Sequence, residues 1–205
     1  MHPGPIRIET IRGGAIGAFL PDLARLRTGI FQAWPYLYQG SEAYERDYLR
    51  IYADSDAAAI VIAFDGGLVV GAATCLPLTA ADTAVQAPIR VRGWKPEQFA
   101  YFGESVLLPA YRGQGTGVAF FEAREAHART IPGADFACFC SVRRPADHPR
   151  RPTGATSLDG FWRKRGYIPV PGLACALSWL DAGEMTETVK PLDFWIRSLS
   201  GAALP

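Results

Sequence analysis

The sequence predicts an α/β (α+β) protein in which helices alternate with short apolar strands. Residues 58–64 and 68–78 are apolar runs joined by an Asp-Gly-Gly turn, a pattern typical of a β-hairpin. Residues 17–32, and the segment that begins at Ser41, instead repeat their apolar side chains at helical spacing. A glycine-rich segment at 113–117 joins a strand to a further helix. These three observations define the fold class.

The other elements follow from the same patterns. In chain order we predict a strand over 5–10, helices over 17–32 and from 41, hairpin strands over 58–64 and 68–78, a strand over 98–108, a helix over 117–129, a strand over 135–142, a short helix over 158–165, strands over 167–170 and 173–180, and a terminal helix over 191–199. Residues 79–96 fit either a helix or an irregular crossing. Ser41 is expected to cap its helix and Gly166 to end the short one. We expect a single domain over 1–205, in which 189–205 form a C-terminal helical extension.

The faces of two helices can be predicted from spacing. The second helix carries an i, i+4 stripe of Tyr44, Tyr48, Ile51 and Tyr52. On the helix over 117–129, Ala119, Ala123 and Ala126 form a narrow packing stripe flanked by Phe120, whereas Arg124, Glu125 and Arg129 are expected to face solvent.

Composition narrows the class of protein. The 205 residues are 49% hydrophobic and carry a formal net charge of +1, which argues against a nucleic-acid-binding surface dominated by Lys and Arg. No apolar run approaches the roughly 20 residues of a membrane span. Residues 1–5 lack the pattern of a signal peptide, so we expect a soluble cytoplasmic protein with no membrane partner.

The four cysteines give no sign of a metal site. Cys75, Cys138, Cys140 and Cys175 lie in apolar runs, without a C-x-x-C pair or a His at ligand spacing. We expect at least three of them to be small buried hydrophobes. Cys138 and Cys140 share one strand face, and the alternative is that one of them borders a cofactor.

The segment from Leu107 to Gly117 carries the chemistry. It couples a strand to a glycine-rich turn and a helix whose first N–H groups and dipole favour a phosphate, beside the charge of Arg112. A dinucleotide fingerprint would need a third glycine where Val118 stands, and no Gly-Lys-Ser/Thr follows for a P-loop. The simplest alternative is a glycine turn that only caps a helix.

This segment resembles the acetyl-coenzyme A loop of the GNAT family of N-acetyltransferases, written Arg/Gln-x-x-Gly-x-Gly/Ala. Arg112, Gly115 and Gly117 fill its fixed places. Residues 161–167 are similar to the family's Tyr-x-x-x-Gly-Phe/Tyr segment, except that Trp162 replaces the tyrosine. The predicted order of helices and strands also resembles that of the family's fold. The resemblance implies a single-domain GNAT fold with a mixed, mostly antiparallel central sheet flanked by helices.

The resemblance also implies an activity and a set of binding residues. It implies acetyl-CoA as co-substrate, no metal, and direct transfer of the acetyl group in a ternary complex to a primary amine of a small molecule, less readily of a peptide or protein. The backbone of the strand before the loop would bond to pantetheine, and the loop would hold the pyrophosphate. The residues concerned are Val106, Leu107 and Leu108, followed by Arg112, Gly113, Gln114, Gly115, Thr116 and Gly117.

Glu104 is the candidate general base, because it is an isolated carboxylate in an apolar strand beside Gly103. The alternatives are a solvated Glu or one paired with an Arg. No general acid can be assigned: Trp162 replaces the expected phenol, and Tyr167, Ser141 and Cys140 are weak substitutes.

Two further segments border the expected acceptor site. Residues 143–152 contain four arginines and His148, which would favour an acidic substrate if they face the cleft; the simpler prediction is a solvated, proline-stiffened loop. Tyr36 and Tyr38 lie between the first two helices and are either acceptor contacts or core aromatics. Exposed apolar edges of the terminal segments could support a homodimer.

Two rival functions remain open. A non-catalytic acyl-CoA-binding or regulatory module would accommodate Trp162, and a nucleotide-binding protein could use the same loop. The identity of the acceptor does not follow from the sequence.

Overall fold

The computed structural model describes residues 5–205, without the side chains of residues 42, 43 and 46. The expectation about a signal peptide concerns residues 1–5, of which 1–4 lie outside the described residues. The elements are β1 (Arg7–Arg12), α1 (Leu20–Phe31), α2 (Glu42–Ala53), β2 (Ala59–Asp65), β3 (Leu68–Pro77), α3 (Thr83–Val91), β4 (Phe99–Tyr101), β5 (Ser105–Leu107), α4 (Thr116–Ala128), β6 (Phe136–Val142), α5 (Asp159–Arg163), β7 (Ile168–Trp179) and β8 (Thr188–Ser198). Short 3₁₀ turns precede α1, α3, β4 and α4.

Eight strands form one sheet in the order β1-β2-β3-β4-β6-β8-β7, and β5 pairs with β3 beside β4. Among the described residues β4 and β6 run parallel, and every other pair of adjacent strands is antiparallel. The mixed, mostly antiparallel sheet expected from the resemblance is therefore confirmed.

Helices cover both faces of this sheet. One apolar cluster packs α1, α2 and α3 on one face, and two smaller clusters pack α4 and the α5 region on the other. On β6, Phe136, Cys138 and Cys140 join the first cluster, whereas Ala137 and Phe139 join the second. A strand buried on both faces is a continuous apolar run, which is the pattern of this segment.

Several local predictions are confirmed. The hairpin closes with Asp65 opposite Leu68. The Ser41 hydroxyl accepts a hydrogen bond from the Tyr44 amide at 3.3 Å and caps α2. Gly166 has a φ of +81° after α5, a left-handed conformation that favours glycine. Residues 79–96, for which the sequence fits either a helix or an irregular crossing, contain α3, capped by the Asp82 carboxylate.

The terminal helix predicted over 191–199, and with it the helical extension over 189–205, is wrong. Residues Thr188–Ser198 form β8, which lies between β6 and β7. Its side chains alternate between faces: Phe194 packs in the cluster under α1–α3, and Trp195 packs in the cluster under α4. Because both faces are covered, the apolar residues are consecutive and hide the period of two.

Three other predictions need correction. The strand over 98–108 is interrupted at residues 102–104, which separate β4 from β5. The two closing strands are one strand, β7, with a register break between Pro169 and Ala174. The predicted helix over 17–32 begins only at residue 20, after a 3₁₀ turn.

The predicted faces of α4 are also partly wrong. Arg124 and Glu125 are buried, although Arg129 is exposed as expected. Ala126, expected to pack, is exposed beside Glu122 on the solvent face. Arg124 packs against aromatic rings and Glu125 pairs with Arg197, so both charged side chains have partners inside.

Candidate active site

The interruption between β4 and β5 opens a wedge in the middle of the sheet. β4 pairs with β6 as far as Tyr101 and Cys138, and the amide of Phe102 still donates to the Cys138 carbonyl at 2.8 Å. Beyond this point β5 pairs with β3, and the rest of β6 keeps only β8, its partner along the whole of its other edge. Within the described chain, the facing edges of β5 and β6 therefore share no ladder. We call the gap between these two edges the wedge, and residues 102–104 its apex.

The glycine loop lies at the other end of β5. Gly113 and Gly115 have φ values of +77° and +87°, and Gly115 is the N-cap of α4. A Cβ on either glycine would meet no atom within 4 Å, so backbone conformation rather than crowding requires glycine. Among residues 5–205, the amides of residues 113–117 donate to no backbone carbonyl. Free amides at a helix N-terminus form an anion-binding site.

The side chains of the loop are held by their own turn. Arg112 is exposed, and its Nε donates to the Leu107 carbonyl at 3.1 Å, which ties the loop to β5. Gln114 donates to the Ala110 carbonyl at 3.0 Å, and Thr116 is buried. The open face of the loop is thus formed by backbone amides and the Arg112 guanidinium.

The β5 residues that are expected to face pantetheine are hydrogen-bonded to β3 along one edge. Ser105–Leu107 pair with residues 71–73 of β3, and the Leu108 amide donates to the Val70 carbonyl at 3.0 Å. Val106 is buried, while Leu107 and Leu108 are half-buried. The structure brings Val106, Leu107 and Leu108 into one continuous edge with the glycine loop.

Glu104, at the apex, is 3% exposed and forms an ion pair with Arg27 of α1. Arg27 also donates through Nε to Glu45 of α2 at 2.5 Å. Of the alternatives raised by the sequence, the Arg-paired carboxylate is therefore the observed one. Burial alone would lower the pKa of Arg27, but the charges of Glu104 and Glu45 outweigh it and raise that pKa well above its usual value.

Four tyrosines surround this ion cluster. Burial first, and then the negative charge of Glu104, raises the pKa values of Tyr36, Tyr48 and Tyr52. Burial and Glu45 raise the pKa of Tyr38. No sequence pattern marks Arg27 or Glu45 as a site residue, although the tyrosine stripe on α2 indicates which side of that helix faces inward.

Gly103 has a specific packing role beside Glu104. A Cβ at this position would lie 2.0 Å from the Tyr52 hydroxyl and 3.1 Å from Thr74 Oγ1. The Glu104 amide donates to the same Thr74 oxygen at 2.8 Å. The space that Gly103 leaves open is therefore filled by α2.

The substitutes considered for the general acid are engaged elsewhere. Tyr167 is fully buried and donates to Glu125 at 3.1 Å, and burial raises its pKa. Ser141 accepts from the Trp195 indole at 3.1 Å. Burial raises the pKa of Cys140, whose sulfur lies 3.7 Å from that of Cys175. Trp162 packs edge-on against Trp195, and the general acid stays unassigned.

The arginine-rich loop binds its own chain. The Arg144 side chain is only 8% exposed, donates to Asp181 at 2.6 and 2.9 Å, and donates to the carbonyls of Pro35 and Tyr36. Arg143 pairs with Asp193, and Arg150 and Arg151 donate to backbone carbonyls. The prediction of a merely solvated loop is wrong for Arg144, which ties the loop to the connection between α1 and α2. His148 lies 5.2 Å from the Trp34 ring.

All four cysteines are buried and free, and Cys138 and Cys140 share the face under α1–α3, as predicted. Within residues 5–205 no group of three His, Cys, Asp or Glu side chains is arranged to hold a metal ion. None of the described helices has the length and apolar character that a bilayer crossing requires.

A mixed sheet split by a wedge, followed by a glycine loop with free amides at a helix N-terminus, is typical of the acyltransferase-like class of fold. The chain belongs to the acetyltransferase (GNAT) family, whose family model matches residues 23–152. No curated protein gives a significant sequence match.

Solved structures share the fold at low sequence identity. The Salmonella typhimurium protein yncA with its cofactor acetyl-CoA is 12% identical, with a TM-score of 0.56 over 98% of both chains. The ribosomal-protein-alanine N-acetyltransferase of Brucella melitensis is 15% identical, with a TM-score of 0.58 over 95% of this chain and 99% of that one. The GphF GNAT-like decarboxylase in complex with isobutyryl-CoA is 18% identical, with a TM-score of 0.57 over 94% and 99%. These likenesses establish the fold alone.

Proposed function

We propose that this protein transfers the acetyl group of acetyl-CoA to the primary amine of a small molecule, by direct attack in a ternary complex. The observation that carries the proposal is the wedge between β5 and β6 with the free amides of residues 113–117 at its end. An extended arm linked to a pyrophosphate matches that combination of a strand-edge gap and an anion site. Family membership agrees with it.

Binding of acetyl-CoA is divided between two segments. We expect the pantetheine arm to lie along Val106, Leu107 and Leu108. Because backbone groups alternate along a paired strand, the Leu107 backbone faces the wedge, whereas the Leu108 amide is used by Val70 of β3. The pyrophosphate is held by the loop residues Arg112, Gly113, Gln114, Gly115, Thr116 and Gly117, mainly through their amides and the Arg112 charge.

The acceptor amine approaches from the side of α1 and α2, where Glu104 accepts its proton. The position of Glu104 supports this role: it is a buried carboxylate at the apex, and its ion pair with Arg27 holds the carboxylate on the side of α1 and α2. A carboxylate fixed in this way can serve as a general base without a search for its orientation. The amine nitrogen then forms the amide bond, and the thiolate of CoA leaves and is protonated.

A non-catalytic acyl-CoA-binding module is the second candidate. The observation that favours it is Trp162, which packs against Trp195 and Phe139 where family members often carry a phenolic acid. This candidate predicts binding of acetyl-CoA without release of thiol for any amine.

The first test is calorimetric titration with acetyl-CoA and CoA, with NAD and ATP as comparators, followed by thiol release over a panel of amines. We expect selective binding of the two CoA species and loss of that binding in Gly115→Val, because a β-branched residue is strained at φ +87° and fills the anion site. Gly93→Val is the matched control, since Gly93 also has a positive φ and open space around it but lies after α3. Tight binding of NAD or ATP, or equal effects of the two variants, would contradict the proposal.

A further inference from the structure

Arg124 of α4 is a buried cation without a carboxylate partner. Its side chain is 2% exposed, and it forms no salt bridge within the described residues. Nε donates to the Phe120 carbonyl and Nη1 to the Glu104 carbonyl, each at 3.2 Å. Nη2 has no hydrogen-bond partner and is itself closed to solvent, so only a group that enters the gap beside it can accept from it. One strong donor of the guanidinium is therefore unused.

Stability does not explain an arginine at this position. Burial lowers the pKa of Arg124 to about 10, so the protein holds the charged form at a cost. The guanidinium carbon lies 4.4 Å from the centre of the Phe102 ring and 4.7 Å from that of Phe121, and these ring faces offset part of the cost. An apolar side chain of similar volume would avoid it entirely.

The position of the guanidinium indicates what the charge is for. The Glu104 carbonyl, which Nη1 contacts, belongs to the apex and also accepts from the Thr74 amide at 3.1 Å. Because Nη1 and Nη2 share one carbon, the unused donor lies within a few ångströms of the apex. The wedge that would hold the acyl-pantetheine arm begins at this point.

We propose that Arg124 is a catalytic residue whose free Nη2 donates a hydrogen bond to the thioester carbonyl oxygen of the acyl donor. The inference rests on the proposed function. The amine nitrogen bonds to the carbonyl carbon, and the C=O π pair moves onto oxygen as an oxyanion beside Arg124. Collapse reforms C=O and breaks the C–S bond; the amine proton goes to Glu104, and the CoA thiolate takes up a proton to leave as the thiol. A fixed cation in a dry site stabilises that oxyanion strongly.

The test is isotope-edited infrared spectroscopy of acetyl-CoA labelled with ¹³C at the carbonyl and bound to the protein, which needs no acceptor. We expect the carbonyl stretch to move to lower frequency on binding to the wild-type chain, and to return towards the free value in Arg124→Met. Arg129→Met is the matched control, because Arg129 is an exposed arginine at the C-cap of the same helix.

Kinetics provide the second readout. Removal of one such donor typically lowers kcat by about 100- to 1,000-fold. We expect that loss of kcat in Arg124→Met, while its Kd for CoA stays within about threefold of the wild-type value and its Tm is unchanged or higher. Arg124→Lys should recover part of the lost kcat. The Lys variant also tests the proposal if the Met variant does not fold.

The outcomes separate the two proposals. An unchanged carbonyl band in Arg124→Met, with acetyl-CoA bound, overturns the role of Arg124 and leaves the proposed function standing. If the wild-type chain does not bind acetyl-CoA, both proposals fail. A lower Tm together with a weaker Kd for CoA would assign Arg124 to structure alone.

Discussion

At the scale of single residues, Glu104 is the point at which the two sides of the sheet meet. Its carboxylate pairs with Arg27 on the side of α1 and α2, whereas its carbonyl is held by Arg124 from α4. Its amide is fixed by Thr74 of β3. Because every polar group of this residue has a partner, the carboxylate has one orientation, which is what a base at the apex requires.

Replacement of Glu104 by Gln tests that role. The amide keeps the shape and can still accept from Arg27, but it cannot take up the amine proton, so we expect turnover to fall by about 100- to 10,000-fold. The Kd for CoA, measured by calorimetry, should stay within about threefold, since the loop and β5 are unchanged. Glu122→Gln, an exposed position on α4, is the control. Unchanged thiol release in Glu104→Gln would remove Glu104 from the mechanism.

The sequence predicts Glu104 and the loop as candidate site residues because each has a local signature. Arg27, Glu45 and Arg124 have none: each is a charged residue on an amphipathic helix, where a solvated position is the usual expectation. Their burial depends on contacts more than fifteen residues away, such as Arg27 with Glu104 and Arg124 with the apex carbonyl. Helical spacing cannot show such contacts.

At the scale of elements, the apex of the wedge depends on how α2 packs against it. The Tyr52 hydroxyl from α2 occupies the space over Gly103, where a Cβ would lie 2.0 Å away. Of the three closest contacts, two are with the Tyr52 ring and its hydroxyl, and one is with Thr74. The absence of a side chain at Gly103 thus allows α2 to pack closely against the apex.

Gly103→Ala should therefore destabilise the protein. Tyr52→Phe should reduce that destabilisation when the two changes are combined. We expect the single variant to lose about 1–3 kcal/mol of unfolding free energy, the range for overpacking a core. In the double variant Gly103→Ala/Tyr52→Phe the loss should shrink by at least half, because the hydroxyl that collides is gone. Urea unfolding of all four proteins completes the double-mutant cycle. Strict additivity of the two changes would show that the collision is relieved elsewhere, and Gly160→Ala, with open space around it, is the control.

Element prediction succeeded where a turn or cap was diagnostic and failed where two faces were buried. The Asp-Gly hairpin and the Ser41 cap both have short-range chemistry that fixes them. β8 has no such signal, because Phe194 and Trp195 are both buried on opposite faces. The interruption at residues 102–104 depends on how this segment pairs with β3 and β6. The apolar pattern of one segment contains no information about its partner strands.

At the scale of the whole molecule, Asp181 joins distant parts of the chain. It is 1% exposed and accepts from Arg144 through both carboxylate oxygens, and Lys190 Nζ of β8 lies 3.2 Å from Oδ1, one of the same two. Arg144 extends the network to the carbonyls of Pro35 and Tyr36. The arginine-rich loop, the end of the sheet and the connection between α1 and α2 are therefore coupled through one carboxylate.

This carboxylate should make stability sensitive to acid. Burial alone would raise the pKa of Asp181, but the hydrogen bonds from Arg144 and Lys190 outweigh it and lower the pKa below its ordinary value of 3.8. A depressed folded pKa stabilises the protein above the unfolded pKa, and this contribution is lost as the pH falls from about 4 through the folded value.

Asp181→Asn should lack that acid-dependent component. At neutral pH it should lose about 3–5 kcal/mol of unfolding free energy, because Arg144 and Lys190 are left buried without their counter-ion. Asp193→Asn, which breaks the more exposed pair with Arg143, should cost no more than about 1 kcal/mol. Urea unfolding of the three proteins between pH 7 and pH 3 measures the difference, and curves for the wild type and Asp181→Asn that fall in parallel below pH 5 would show that Asp181 does not couple folding to protons.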